Sequence, residues 1–139
     1  MSRLLLTPFM LLMLILFQSA PVSAADEEPA GQSQSGYVSL GKPMVLNLVT
    51  DSRRLTFLQL AADVLVSNDD AKSLVETHVP AIRHKLVLML SEQPAIDMKS
   101  PVKREEVRQQ VTVAVRDMIR EMTDNEGVEE VLFSTFLVQ

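Results

Sequence analysis

Residues 54–66 read R-L-T-F-L-Q-L-A-A-D-V-L-V, and the fold turns on this stretch. Leu58, Leu60, Ala62, Val64 and Val66 take alternate positions and are all apolar. The intervening Phe57, Gln59, Ala61, Asp63 and Leu65 are mixed. Alternation with one wholly apolar set predicts a strand with one face in a core and the other partly solvated. Upstream, Met44 to Val49 predicts a second strand, with Asn47 its only polar member. Asp51-Ser52-Arg53 is a short polar turn between the two, so an antiparallel hairpin is expected. Gly41-Lys42-Pro43 punctuates the segment that starts at Tyr37. Proline lacks a backbone donor, so Pro43 should sit at a strand start or an edge.

Downstream, Ser67-Asn68-Asp69-Asp70 supplies a helix cap and first-turn acids. Val75, Val79, Ile82, Leu86 and Met89 then step by four, three, four and three, which keeps one helical face buried. Pro80 interrupts this pattern, and an interior proline removes a hydrogen bond. Two helices or one kinked helix are expected, over about 70–78 and 80–92. Ser100 caps a further helix with Pro101 at its first position. Val107, Val111, Ala114, Val115, Met118 and Met122 form its expected core face. Arg104, Glu105, Arg108, Arg116 and Arg120 fall on the opposite face, and the helix should end near Asn125 or Gly127. Val131 to Val138 predicts a last strand. Its apolar residues lie on both faces, so it should be covered or paired centrally rather than left at an edge. Phe133 and Phe136 have opposite parity and are expected on opposite faces. The order predicts an α+β domain, with a kinked or split helix and a long amphipathic helix packed on a small, mostly antiparallel sheet of about three strands.

The N-terminus reads as an address. Arg3 precedes an apolar run from Leu4 to Phe17, broken only by Thr7 and Pro8, and Val22-Ser23-Ala24 follows. That layout predicts a secretory signal peptide over residues 1–24, cut between Ala24 and Ala25. The run is short for a spanning helix, which needs about 20 apolar residues; an uncleaved signal anchor is the alternative. Residues 25–36, A-D-E-E-P-A-G-Q-S-Q-S-G, lack large apolar side chains and read as a flexible leader. The folded domain is then 37–139.

Composition narrows function by exclusion. The chain has 139 residues, 13 Lys+Arg against 18 Asp+Glu, and a formal net charge of −5, without a long basic stretch; nucleic acid is not an expected partner. There are no cysteines, two histidines, one tyrosine and no tryptophan. Disulfides, thiolate metal sites and a Cys nucleophile are excluded. His78 and His84 are six apart, which is not a helical ligand pair. The adjacent pairs Asp69-Asp70, Glu105-Glu106 and Glu129-Glu130 suit helix starts or solvated faces better than convergent acid–base chemistry. Glycine-rich phosphate loops and nucleophile elbows are missing. No cofactor, no metal and no enzymatic activity are expected; a binding or structural module is.

The order of segments resembles the periplasmic domain of the flagellar basal-body-associated FliL family. The carriers are the ending V-L-F-S-T-F-L-V-Q (Val131 to Gln139), the first strand Y-V-S-L-G-K-P-M-V-L-N-L, the second R-L-T-F-L-Q-L-A-A-D-V, and the helix H-V-P-A-I-R-H-K-L-V-L-M-L-S (His78 to Ser91). Together they span Tyr37 to Gln139. The family usually has a short basic segment and a full transmembrane helix before this domain, where the chain has only Arg3 and a short apolar run. It also usually carries a glycine in the turn into the long helix, where this chain reads S-P-V-K-R-E-E.

The resemblance implies a non-enzymatic accessory of the flagellar motor that supports stator engagement or torque, and so motility and chemotaxis. It implies a periplasmic location at or near the inner membrane and basal body, held peripherally or by an uncleaved N-terminal segment. It further implies a stomatin- and prohibitin-like fold, stator or basal-body partners, and assembly into a homo-oligomeric ring. A ring needs a head-to-tail contact. The opposed surfaces that the sequence supplies are Asp69 and Asp70 at the first helix, and Arg104, Arg108, Arg116 and Arg120 on the long one. The alternative from another class is a soluble periplasmic ligand-binding or chaperone-like module unrelated to motility.

Overall fold

The computed structural model describes residues 34–139; the expected signal segment, its cut at Ala24 and Ala25, and most of the leader lie outside them. The elements run β1 (Gly36–Ser39), β2 (Met44–Leu48), β3 (Thr56–Val66), α1 (Asp69–Ser91), a 3-10 turn (Asp97–Lys99), α2 (Pro101–Thr123) and β4 (Val128–Val138). The α+β expectation holds, with four strands rather than about three. The extra strand comes from Gly41, whose φ of 86° breaks the first segment in two. β1 and β2 both pair antiparallel with β3 and lie along one side of it, while β4 pairs along the other. β2 opens right after Pro43, on an edge strand, where a missing N–H costs the ladder nothing.

The predicted alternation of β3 is its observed burial. Leu58, Leu60, Val64 and Val66 are fully buried, with Ala62 close behind, and the odd-numbered residues face the other side. The hairpin with β2 is antiparallel in the register Leu46↔Leu58, although its loop is longer than the three-residue turn expected. The inner face meets Ala71, Val75, Ile82, Leu86 and Leu90 of α1 and Val107, Val111, Val115 and Ile119 of α2. Each valine, leucine or isoleucine among them contributes about 1.5–3 kcal/mol on full burial.

Both helix starts follow the sequence. Asn68 caps α1, its side chain accepting from Ala71 N at 2.8 Å. Ser100 caps α2 with Pro101 in its first turn. α1 runs unbroken through Pro80 as a single helix. Pro80 and Glu76, whose carbonyl loses its partner, are both exposed. Water can therefore satisfy that carbonyl, and the shared buried face holds both halves.

Three expectations are corrected. The buried face of α2 is Val107, Val111, Thr112, Val115 and Ile119. Met122 is 50% exposed, and Arg108 and Arg116 flank the buried stripe rather than opposing it. β4 pairs with β3 alone and is an edge strand; the central strand is β3. Finally, Phe133 and Phe136 share one face. The register moves from Ala61↔Thr135 to Ala62↔Phe133, so Ser134 is an extra residue and resets the parity. Both rings pack against the core, stacked with centroids 5.5 Å apart.

Candidate functional site

The seam between α2 and β4 gathers charged side chains onto the edge of the sheet. Arg104, Arg108, Thr112 and Arg116 recur every four residues and so share one face of α2. Three of them reach the outer edge of β4. Arg116 donates from Nε to Val128 O at 3.0 Å and from a terminal nitrogen to Glu129 O at 2.6 Å. The buried Thr112 hydroxyl accepts from Val131 N at 3.0 Å. Arg108 donates to Val131 O at 2.9 Å and pairs with Glu130 across the seam. An edge strand otherwise presents a row of unpaired backbone groups. Here α2 closes the first half of that row with its own side chains.

Arg108 is also gripped along α2 by Glu105, with contacts of 2.8 and 2.6 Å. The hydrogen bonds from Arg108, then from Gln109, hold the Glu105 carboxyl down at about 2. In return the hydrogen bond to Glu105, and then the charge of Glu130, raises Arg108 above the ordinary guanidinium range, against partial desolvation. Arg104 behaves differently from its three neighbours. Its guanidinium lies over the Phe136 ring, 5.4 Å from the centroid, and its Nε is buried without a hydrogen-bond partner among the described residues.

The other residues singled out from sequence are dispersed. Asp69 and Asp70 are exposed in the first turn of α1. Arg120 is exposed and pairs with Asp117 at 2.8 Å. The four arginines expected to form one basic surface are therefore unequal, since two of them are committed to β4 carbonyls. His78 is half-buried and His84 exposed on α1. Glu105 and Glu106 serve Arg108 and Lys103 respectively. Among the described residues no three His, Cys, Asp or Glu side chains gather as metal ligands, and no helix is long and apolar enough to cross a membrane.

Sequence reasoning missed Arg83. Its Nη1 donates to Leu40 O at 2.6 Å and to Lys42 O at 2.8 Å, clamping the turn around Gly41 onto α1. The only sequence signal was its place three residues after Pro80 in P-A-I-R, and that spacing alone names no partner. The connector after α1 is pinned in a similar way, by Val49 N to Gln93 O at 3.0 Å and Ala95 N to Val49 O at 2.8 Å. Between α1 and α2 runs an open groove lined by Lys85, Glu106, Val113, Asp117 and Glu121. Glu106 and Asp117 are already paired there with Lys103 and Arg120. The arrangement as a whole is suited to holding two helices and a sheet in register and to presenting surfaces.

The model of the family described as flagellar basal body-associated protein FliL matches residues 37–139. No curated protein matches the chain.

Proposed function

The chain belongs to the flagellar basal body-associated protein FliL family, a non-catalytic flagellar accessory family, and from that membership we propose that it supports engagement of the stator, or torque, in flagellar rotation, and thereby motility and chemotaxis. The observation that carries the reading is the family match, which takes in every element from β2 to β4 and most of β1. The chain itself acts without catalysis, through surfaces. Its place is the periplasm beside the inner membrane and the basal body. It reaches that place through residues 1–24, as a signal peptide cut between Ala24 and Ala25 or as an uncleaved anchor, with 25–36 as the leader and 37–139 as the working domain.

Assembly into a ring is part of the proposal. In that ring Asp69 and Asp70 form the acidic side of a head-to-tail contact with the arginine stripe of the next subunit. Arg120, exposed and paired only with Asp117 of its own helix, and Arg104, without an ion pair among the described residues, carry the basic side, because Arg108 and Arg116 are held by β4. Charges of this kind steer association more than they add affinity.

A deletion strain tests the role. Swimming and swarming under load should fall and return on complementation, and the tagged protein should co-purify with stator or basal-body proteins. Unchanged motility together with no motor protein in the purified fraction overturns the reading. Intact-mass analysis tests the address: a mature chain starting at Ala25 is expected, and retention of Met1 or Ser2 in the membrane fraction identifies an anchor.

A further inference from the structure

Phe57 and Gln139 exchange both backbone hydrogen bonds, at 2.8 and 2.9 Å. In an antiparallel ladder the neighbouring positions then alternate in direction. Val138, opposite Leu58, and Phe136, opposite Leu60, therefore point their N–H and C=O groups away from β3. Val131 points the same way, as its bonds to Thr112 and Arg108 require. Residues 128–131 of this edge are closed by α2, whereas Phe136 and Val138 have no partner among the described residues. The usual guards of an open edge are a lysine, a proline or an inward charge. None stands in 132–139; the bulge at Ser134 is the one such device there.

Two further features lie beside the open half. Arg104 continues the four-residue stripe that closes the first half, yet its Nε meets nothing and it forms no ion pair among the described residues. On the far side of the sheet, Leu137 of β4 itself is 47% exposed. A strand added along β4 would gain backbone bonds from Phe136 and Val138, and its alternate side chains would meet Leu137 on one face of the sheet and Phe136 on the other. The unpaired cation beside it favours an acidic residue on that strand.

We infer that the C-terminal half of β4 is a docking edge for an extended, acidic-residue-bearing segment of another protein, which adds as a strand and places its carboxylate on Arg104. The site rests on the geometry of one edge and does not depend on the motor role.

The test uses the full chain, isotope-labelled, made from its own gene and purified as the cell processes it. The probe is an eight-residue synthetic peptide of alternating valine and threonine with one central glutamate. Its control carries lysine at that position. The amide resonances of Phe136 and Val138 should shift on adding the glutamate peptide, while that of Val131 stays put. The lysine peptide should bind about tenfold more weakly, the scale expected for losing one charged hydrogen bond. Arg104→Gln should erase the difference between the two peptides. Val138→Pro, which removes an outward N–H and leaves the ladder to β3 intact, should weaken both. The peptide pair needs no substitution, so the comparison survives if a variant fails to fold. Unmoved Phe136 and Val138 amides at millimolar peptide, or equal binding of the two peptides, overturn the inference. Concentration-dependent dimerisation that protects the same two amides overturns it as well, since a second copy would then be the occupant.

Discussion

Replacing Thr112 by valine isolates the central rivet of the α2–β4 seam. The side chain is 7% exposed, and its hydroxyl is the acceptor for Val131 N at 3.0 Å, on an edge position that is fully buried. Valine has nearly the same shape, so the packing stays and the acceptor goes. Leaving a buried N–H unpaired costs about 1–3 kcal/mol. The added methyl contact returns up to about 0.8 kcal/mol. The net loss is about 1–2 kcal/mol, or roughly 5–15 °C in Tm for a domain of this size. Urea denaturation gives the first number, and amide exchange at Val131 identifies its source. Thr112→Val should speed exchange at Val131 more than at Val64, its partner on the central strand. Thr112→Ser, which keeps the acceptor, should leave Val131 protected. If Thr112→Val melts with the wild type and Val131 stays protected, the hydroxyl does not close the edge.

Further outcomes follow from other contacts. Gly127→Ala would push a methyl group into the buried Ala71 and to 2.9 Å from Asn125 Oδ1; a loss of about 1–3 kcal/mol is expected on denaturation, and wild-type stability would show that the α1 start can give way. Phe133→Ala and Phe136→Ala should each destabilise, by roughly half the about 3–5 kcal/mol of a fully buried ring. In a double-mutant cycle their stacked rings should couple by about 0.5–1.5 kcal/mol, and additivity would show that the bulge does not bring them together. The Glu105 carboxyl, held at about 2 against an ordinary 4.5, contributes stability that is present above pH 4.5 and is lost as the pH falls towards 2. Stability of the wild type relative to Glu105→Gln should narrow across that window, and a constant difference from pH 6 to pH 2 would contradict it.

What could be read from the sequence was what depends on one element at a time. The β3 alternation, a helix cap within Ser67–Asp70 and the Ser100-Pro101 start are local patterns with local physics, and the structure keeps them, with Asn68 as the capping residue. Parity failed at β4 because one inserted residue, Ser134, turns Phe133 and Phe136 to the same side, and no residue type announces a bulge. The helix through Pro80 depends on both halves of α1 burying one face while the lost bond falls on the water side. The face of α2 was misjudged because arginine counts as polar in a periodicity, yet the stems of Arg108 and Arg116 lie at the flank of the core with their heads on β4 carbonyls. Those carbonyls come from an element more than ten residues further along, and a spacing within α2 cannot name them. The same limit hid the Arg83 clamp on Leu40 and Lys42. The order of segments along the chain was legible where single contacts were not, and that order is what the family match covers.

The role proposed for this domain is at the flagellar basal body, acting through the stator. The most direct measurement is localisation of a functional epitope-tagged chain in wild-type cells and in cells lacking stators. Discrete foci at flagellar bases, dispersing or weakening when the stators are absent, are expected. A signal spread evenly around the cell in both strains, with motility intact, would contradict it.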